Sequence, residues 1–90
     1  MTLPNDDLFS RTEWVRLARK LSLPPRQVQI TQEIMRGASD KQIAQRLGIS
    51  VPTVRTHLGR LFARLHVDDR SELILYMVYQ SREQGEQISH

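Results

Sequence analysis

The sequence predicts an all-α fold: a compact helical bundle containing a helix-turn-helix, with an extra N-terminal helix. Apolar residues recur at three- and four-residue spacings along most of the chain, as one buried helix face requires. Ser10 and Glu13, Ser39 and Gln42, and Asp69 and Glu72 stand at the spacing of a capping box or its acidic equivalent. From Ser39 to Leu58 two short helical patterns flank a turn centred on Gly48, which is how a helix-turn-helix reads.

Residues 1–22 read as an N-terminal arm and an amphipathic helix. Met1 to Phe9, with a proline and an aspartate pair, forms the arm. Ser10 then caps a helix whose Trp14, Leu17, Ala18 and Leu21 share one face and should dock on the core. Trp14 is read as packing, with a dimer contact or base stacking as the other uses of a lone aromatic.

Pro24 and Pro25 break the chain, because a residue before proline is pushed out of helical conformation while proline suits a helix's first position. A second helix therefore starts near Pro25. Ile30, Ile34 and Met35, with Val28, form its stripe, and Gly37 supplies a left-handed stop. Ser39 caps the third helix, which buries Ile43, Ala44 and Leu47 and closes at Gly48.

Ser50 caps the fourth helix, and Pro52 fits its first turn, where the missing N–H has no intrahelical partner anyway. Val54, Leu58, Leu61, Phe62 and Leu65 point inward. Thr53, Arg55, Thr56, His57, Gly59, Arg60 and Arg64 are left outside, a polar and basic face suited to a major groove. Gly59 is costly in a helix interior, about 1 kcal/mol against Ala. Close approach to a phosphate, or weak local demand, would account for it.

Asp69 and Glu72 start the last helix, in which Leu73 to Val78 and Tyr79 run unbroken and apolar. At about 100° per residue, Leu73, Ile74 and Met77 gather on one side and Leu75, Tyr76 and Tyr79 nearly opposite. The second group predicts a dimer interface along this helix, with cover by the N-terminal helix as the alternative. Residues 81–90 read as a polar tail.

Ninety residues support one small domain, and without cysteine there is no disulfide, thiolate nucleophile or cysteine zinc cage. His57, His66 and His90 are too scattered for a metal site, and no Gly-rich phosphate loop precedes a helix. An enzyme is not expected, nor a cofactor or metal. No apolar run reaches the roughly 18 to 20 residues of a membrane span, and the acidic N-terminus does not suit an export signal, which predicts a cytoplasmic protein. The net charge of +3 is small, but its placement is informative. Between Pro24 and His66 the cations are Arg26, Arg36, Lys41, Arg46, Arg55, Arg60 and Arg64, against Glu33 and Asp40. From Val67 on, Asp68, Asp69, Glu72, Glu83 and Glu86 outnumber Arg70 and Arg82, so the basic block coincides with the helix-turn-helix. Arg36 and Arg46 read as solvated.

With these residues in place the chain resembles the LuxR-type (GerE-like) DNA-binding domain from about Leu23 to Val78. The family pattern L-T-x-R-E-x-E-V, G-x-S-N-K-E-I-A, L-x-I-S-x-x-T-V-K-x-H, K-L-x-V and R-x-E is met by Leu23, Arg26, Ile30, Gly37, Ser39, Lys41, Ile43, Ala44, Leu47, Ile49, Ser50, Thr53, Val54, His57, Leu65, Val67, Arg70 and Glu72. The resemblance implies four helices over residues 23–80, with the helix after Ser50 as the recognition element. Three positions depart from it. Gln27 and Gln29 replace glutamates and would weaken any pairing with a basic residue such as Arg70, Pro24 replaces a threonine cap, and Gly59 stands where some members carry a base-contacting side chain. The family's usual receiver or ligand-binding domain has no room here, so the resemblance implies a free-standing, nucleoid-associated bacterial regulator.

Double-stranded DNA is accordingly the expected partner. Arg55 offers a bidentate fork to guanine and the Thr56 methyl a contact to thymine. Ser39, Lys41, Ser50, Thr53, His57 and Arg60 are the expected phosphate contacts, helped by backbone N–H groups at the two helix starts. Leu75, Tyr76 and Tyr79 would make a homodimer that reads an inverted repeat. Two other readings remain. A protein-interaction module would act as an anti-activator by heterodimerising with a larger LuxR-type relative. A promoter binder resembling region 4 of a sigma factor would work on RNA polymerase, as Leu23-Pro24-Pro25-Arg26-Gln27 suggests.

Overall fold

The computed structural model describes residues 9 to 89, with side chains as far as Glu83. Of the arm expected over Met1 to Phe9, residues 1–8 lie outside the described residues, and Phe9 is not part of an arm but is buried against Trp14. The described chain is all-helical: α1 (Arg11–Lys20), α2 (Pro25–Met35), α3 (Asp40–Leu47), α4 (Val51–Leu65) and α5 (Arg70–Ser89).

Each start follows from its cap. The Ser10 hydroxyl accepts from the Glu13 N–H at 3.2 Å while Glu13 Oε1 accepts from the Ser10 N–H at 2.8 Å. Ser39 and Gln42 repeat the exchange at 3.2 and 2.9 Å. Ser50 Oγ accepts from the Thr53 N–H at 3.2 Å, and Asp69 Oδ1 from the Glu72 N–H at 2.9 Å. Each such cap stabilises by about 1 kcal/mol, because an orphan backbone donor gains a partner. α2 has no side-chain cap and relies on Pro25, whose ring presets the first turn.

The ends follow from left-handed residues. Gly37 (φ 85°) and Gly48 (φ 68°) let the chain turn back on itself, with Ala38 N–H donating to the Glu33 carbonyl and Ile49 N–H to that of Ala44, both at 3.0 Å. Ser22 (φ 54°) and His66 (φ 57°) do the same without being glycine. Leu23 N–H reaches the Ala18 carbonyl at 2.9 Å and Val67 N–H that of Phe62 at 3.0 Å, which offsets the steric cost of about 1–2 kcal/mol.

α3 and α4 pack on each other and α2 lies behind α4, so the core forms where α2, α3, α4 and α5 converge. Leu17, Ile30, Ile34, Ile43, Val54, Leu61, Leu73 and Met77 are fully buried there. α1 closes the side next to α5: Trp14 is only 5% exposed and meets Phe9 edge to face at 5.2 Å. The tryptophan is thus a core residue, which leaves neither stacking on a base nor a dimer contact as its use. Polar contacts pin the same seam, Lys20 to Glu83 and Ser81 to Glu13, both at 3.3 Å.

Two expectations change. The last helix does not end near Gln80 but continues to Ser89, and α1 gives Ser81 and Glu83 partners along the way, while Gly85 in the same stretch does not favour a helix. Tyr76 is half-buried against the core, whereas Leu75 (70%) and Tyr79 (60%) are exposed. Helical geometry explains it: Tyr76 lies only about 60° around the axis from fully buried Leu73, inside the stripe that α5 turns inward.

Candidate nucleic-acid interface

α3 and α4 bring their starts together through charge. Asp40, first residue of α3, accepts from Arg55 Nε of α4 at 3.4 Å and from Arg70 Nη2 of α5. Arg70 also donates through Nη1 to the Ala38 carbonyl at 2.7 Å. Arg70 thus turns to the start of α3, in keeping with the weakened pairing expected at positions 27 and 29. Gln29 is exposed, and Gln27 is buried with its Oε1 unpartnered, so a neutral amide took no part of that charge.

Glu33 on α2 is 7% exposed and accepts from Arg36 at 2.8 Å and from Arg46 of α3 at 2.5 Å. Arg36 and Arg46 are therefore not simply solvated. A buried carboxylate requires hydrogen-bonded counter-charge, and these two supply it while tying α2 to α3. Both anions of the basic block are thus held by arginines. Lys41 and Arg60 make no ion pair among the described residues, so their charge is available to a polyanion. Arg64 Nη1 donates to the Ser22 carbonyl at 3.1 Å, which anchors the far end of α4 to the end of α1 and leaves the charge uncancelled.

The expected contact residues lie on one continuous pair of elements. Ser39, Lys41, Ser50, Thr53, Arg55, Thr56 and Arg60 are all exposed on α3, on α4 or at their caps, and His57 is half-buried. Ser50 Oγ and Thr53 Oγ1 share a hydrogen at 2.8 Å. The Thr56 hydroxyl donates to the Pro52 carbonyl at 3.1 Å, which satisfies the hydroxyl within the helix and leaves the methyl as its distinctive group. Leu75 and Tyr79 are on α5, outside this group.

A Cβ at Gly59 would meet nothing within 4 Å. Internal packing therefore does not require glycine. Gly59→Ala is expected to raise unfolding free energy by about 0.5–1 kcal/mol, read by thermal or urea denaturation. A concurrent loss of DNA affinity would identify close approach of a phosphate as the reason for the glycine.

The basic residues do not begin at Pro24. Arg11, Arg16, Arg19 and Lys20 make α1 basic too, with Glu13 engaged by its own cap and Ser81. Their signal in the sequence is the run of cations over residues 11–20, where Glu13 is the one anion.

The family profile described as bacterial regulatory proteins, luxR family, matches residues 21–77. Over 56 residues the chain is 43% identical to YhcZ of Bacillus subtilis, an uncharacterized transcriptional regulatory protein, covering 62% of this chain and 26% of that one. The monoamine regulon transcriptional regulator of Klebsiella aerogenes is 42% identical over 52 residues, 58% of this chain and 23% of its own length. The response regulator protein VraR of Staphylococcus saprophyticus is 26% identical over 83 residues, 83% of this chain and 40% of the relative. The chain thus spans well under half the length of these relatives. No solved structure matches it.

Proposed function

Since this chain belongs to the luxR family of bacterial regulatory proteins, we propose that it is a sequence-specific DNA-binding transcriptional regulator that lays α4 in a major groove and binds an inverted repeat as a homodimer. The observation that carries this reading is the two-sidedness of α4. Val54, Leu58, Leu61 and Leu65 are buried on one side, while Thr53, Arg55, Thr56, Arg60 and Arg64 are exposed on the other. Such a helix is fixed to the core and still presents hydrogen-bonding side chains to base edges.

Arg55 and Thr56 read bases, and Ser39, Lys41, Ser50, Thr53, His57 and Arg60 hold phosphates. The dimer forms across Leu75 and Tyr79, with Tyr76 at its margin. The relatives named as transcriptional regulators support the regulatory reading, and the family is one of regulators rather than of enzymes. Among the described residues no helix is long and apolar enough to cross a membrane, and we place the protein with the chromosome in the bacterial cytoplasm.

Selection of the purified chain against a random duplex library at near-physiological salt tests the reading. An enriched inverted repeat supports it. A lone half-site removes the dimer, and no enrichment replaces DNA reading with heterodimerisation to a larger relative. On the selected site, Arg55→Ala is expected to lose about 1–3 kcal/mol of discrimination at one base pair. Lys41→Ala should instead weaken all duplexes alike and lower the salt slope by about one, measured by fluorescence titration at several salt concentrations.

A further inference from the structure

We propose that Asp40 determines specificity: its carboxylate, braced by Arg70, aims the Arg55 guanidinium at the base that Arg55 reads. The proposal rests on α4 being the DNA-reading helix. Asp40 Oδ2 accepts from Arg55 Nε at 3.4 Å, which leaves both terminal amino groups of the guanidinium for the O6 and N7 of a guanine. Its Oδ1 is held by Arg70 Nη2, and Arg70 is held in turn by the Ala38 carbonyl at 2.7 Å. The Asp40 side chain is 26% exposed and that of Arg55 69%, so Arg55 leans on a largely covered carboxylate while most of its own side chain faces solvent.

An acid at the start of α3 is favourable for the helix dipole, but that accounts only for its position in the sequence. It does not require a contact fifteen residues on, to the other helix of the motif. The carboxylate also stands among the expected phosphate contacts, Ser39 and Lys41 on either side, where it cancels arginine charge that would otherwise attract DNA. A residue that opposes general affinity and restrains the base-reading arginine should trade affinity for discrimination. Restraint lowers the entropy that Arg55 loses on binding the correct base and keeps it from settling on a neighbouring phosphate.

The test uses the full chain carrying Asp40→Asn, Asp40→Ala or Arg55→Ala, and the double variant Asp40→Asn with Arg55→Ala. Each is titrated against the selected site, the site altered at the base pair that Arg55→Ala relaxes, and a random duplex, with melting temperatures in parallel. Asp40→Asn keeps an acceptor for Arg70 and so separates orientation from folding. The expected result is unchanged or tighter binding to random DNA and an approximately two- to tenfold loss of discrimination confined to that base pair. The double variant should discriminate no worse than Arg55→Ala alone. Full discrimination by Asp40→Asn overturns the proposal, as does an equal loss at every position accompanied by a lower melting temperature. If Arg55→Ala relaxes no position while the selected repeat is still bound, the assignment of Arg55 fails and Asp40 with it. If no repeat is bound by the unaltered chain, the DNA-reading assignment itself fails.

Discussion

Leu75→Asp is expected to split the proposed dimer while leaving the monomer folded. Leu75 is 70% exposed, so a carboxylate there is hydrated in the monomer and strains nothing. In a dimer built on this face of α5 the same carboxylate is buried opposite its own copy, desolvated and facing like charge. Sedimentation should show the monomer. Affinity for a duplex carrying both half-sites should fall by about 10²–10⁴-fold, the loss when a linked second binding event becomes independent, while affinity for a single half-site is unchanged. The unaltered oligomer and full affinity would move the interface away from Leu75 and Tyr79. The substitution is more decisive than one at Tyr76, whose half-buried ring also packs on the core.

Leu61→Ala should have the largest effect on folding. Leu61 is fully buried on the inner side of α4, and removing its branched end costs the transfer energy of the lost atoms plus that of the cavity left behind, about 2–5 kcal/mol in all. Small domains hold only roughly 0.05–0.15 kcal/mol per residue, so this is a large fraction of the total. Urea denaturation followed by circular dichroism measures it through the midpoint. Arg60→Ala, one residue earlier and exposed, should stay within about 0.5 kcal/mol of the parent. A similar loss for both would mean that α4 is not docked by the face described.

Much of this molecule is legible from local chemistry. Ser10, Ser39 and Ser50 announce their helices because a capping hydroxyl acts within three residues, and Gly37 and Gly48 announce their turns because only a left-handed residue fits there. The inner and outer faces of α4 follow from the helical period for the same local reason. The distant partners of Glu33 and Asp40 do not: Arg46 is thirteen residues from Glu33 and Arg70 thirty from Asp40, and no period or motif links them. Ser22 and His66 in left-handed conformation are equally hidden, since neither residue type predicts it. The length of α5 depends on what α1 offers to Ser81 and Glu83, a tertiary contact that overrides composition.

The matched segment, residues 21–77, carries every residue expected to touch DNA, yet Phe9, Trp14 and Leu17 lie before it and are buried in the same core. The unit of recognition and the unit of folding are therefore cut at different places in this chain. A transplant of residues 21–77 into another protein would carry over the whole proposed DNA-contacting surface and leave behind the lid over its apolar side. Any such chimera has to bring α1 with it or provide a substitute of the same shape, so the N-terminal helix travels as part of the module.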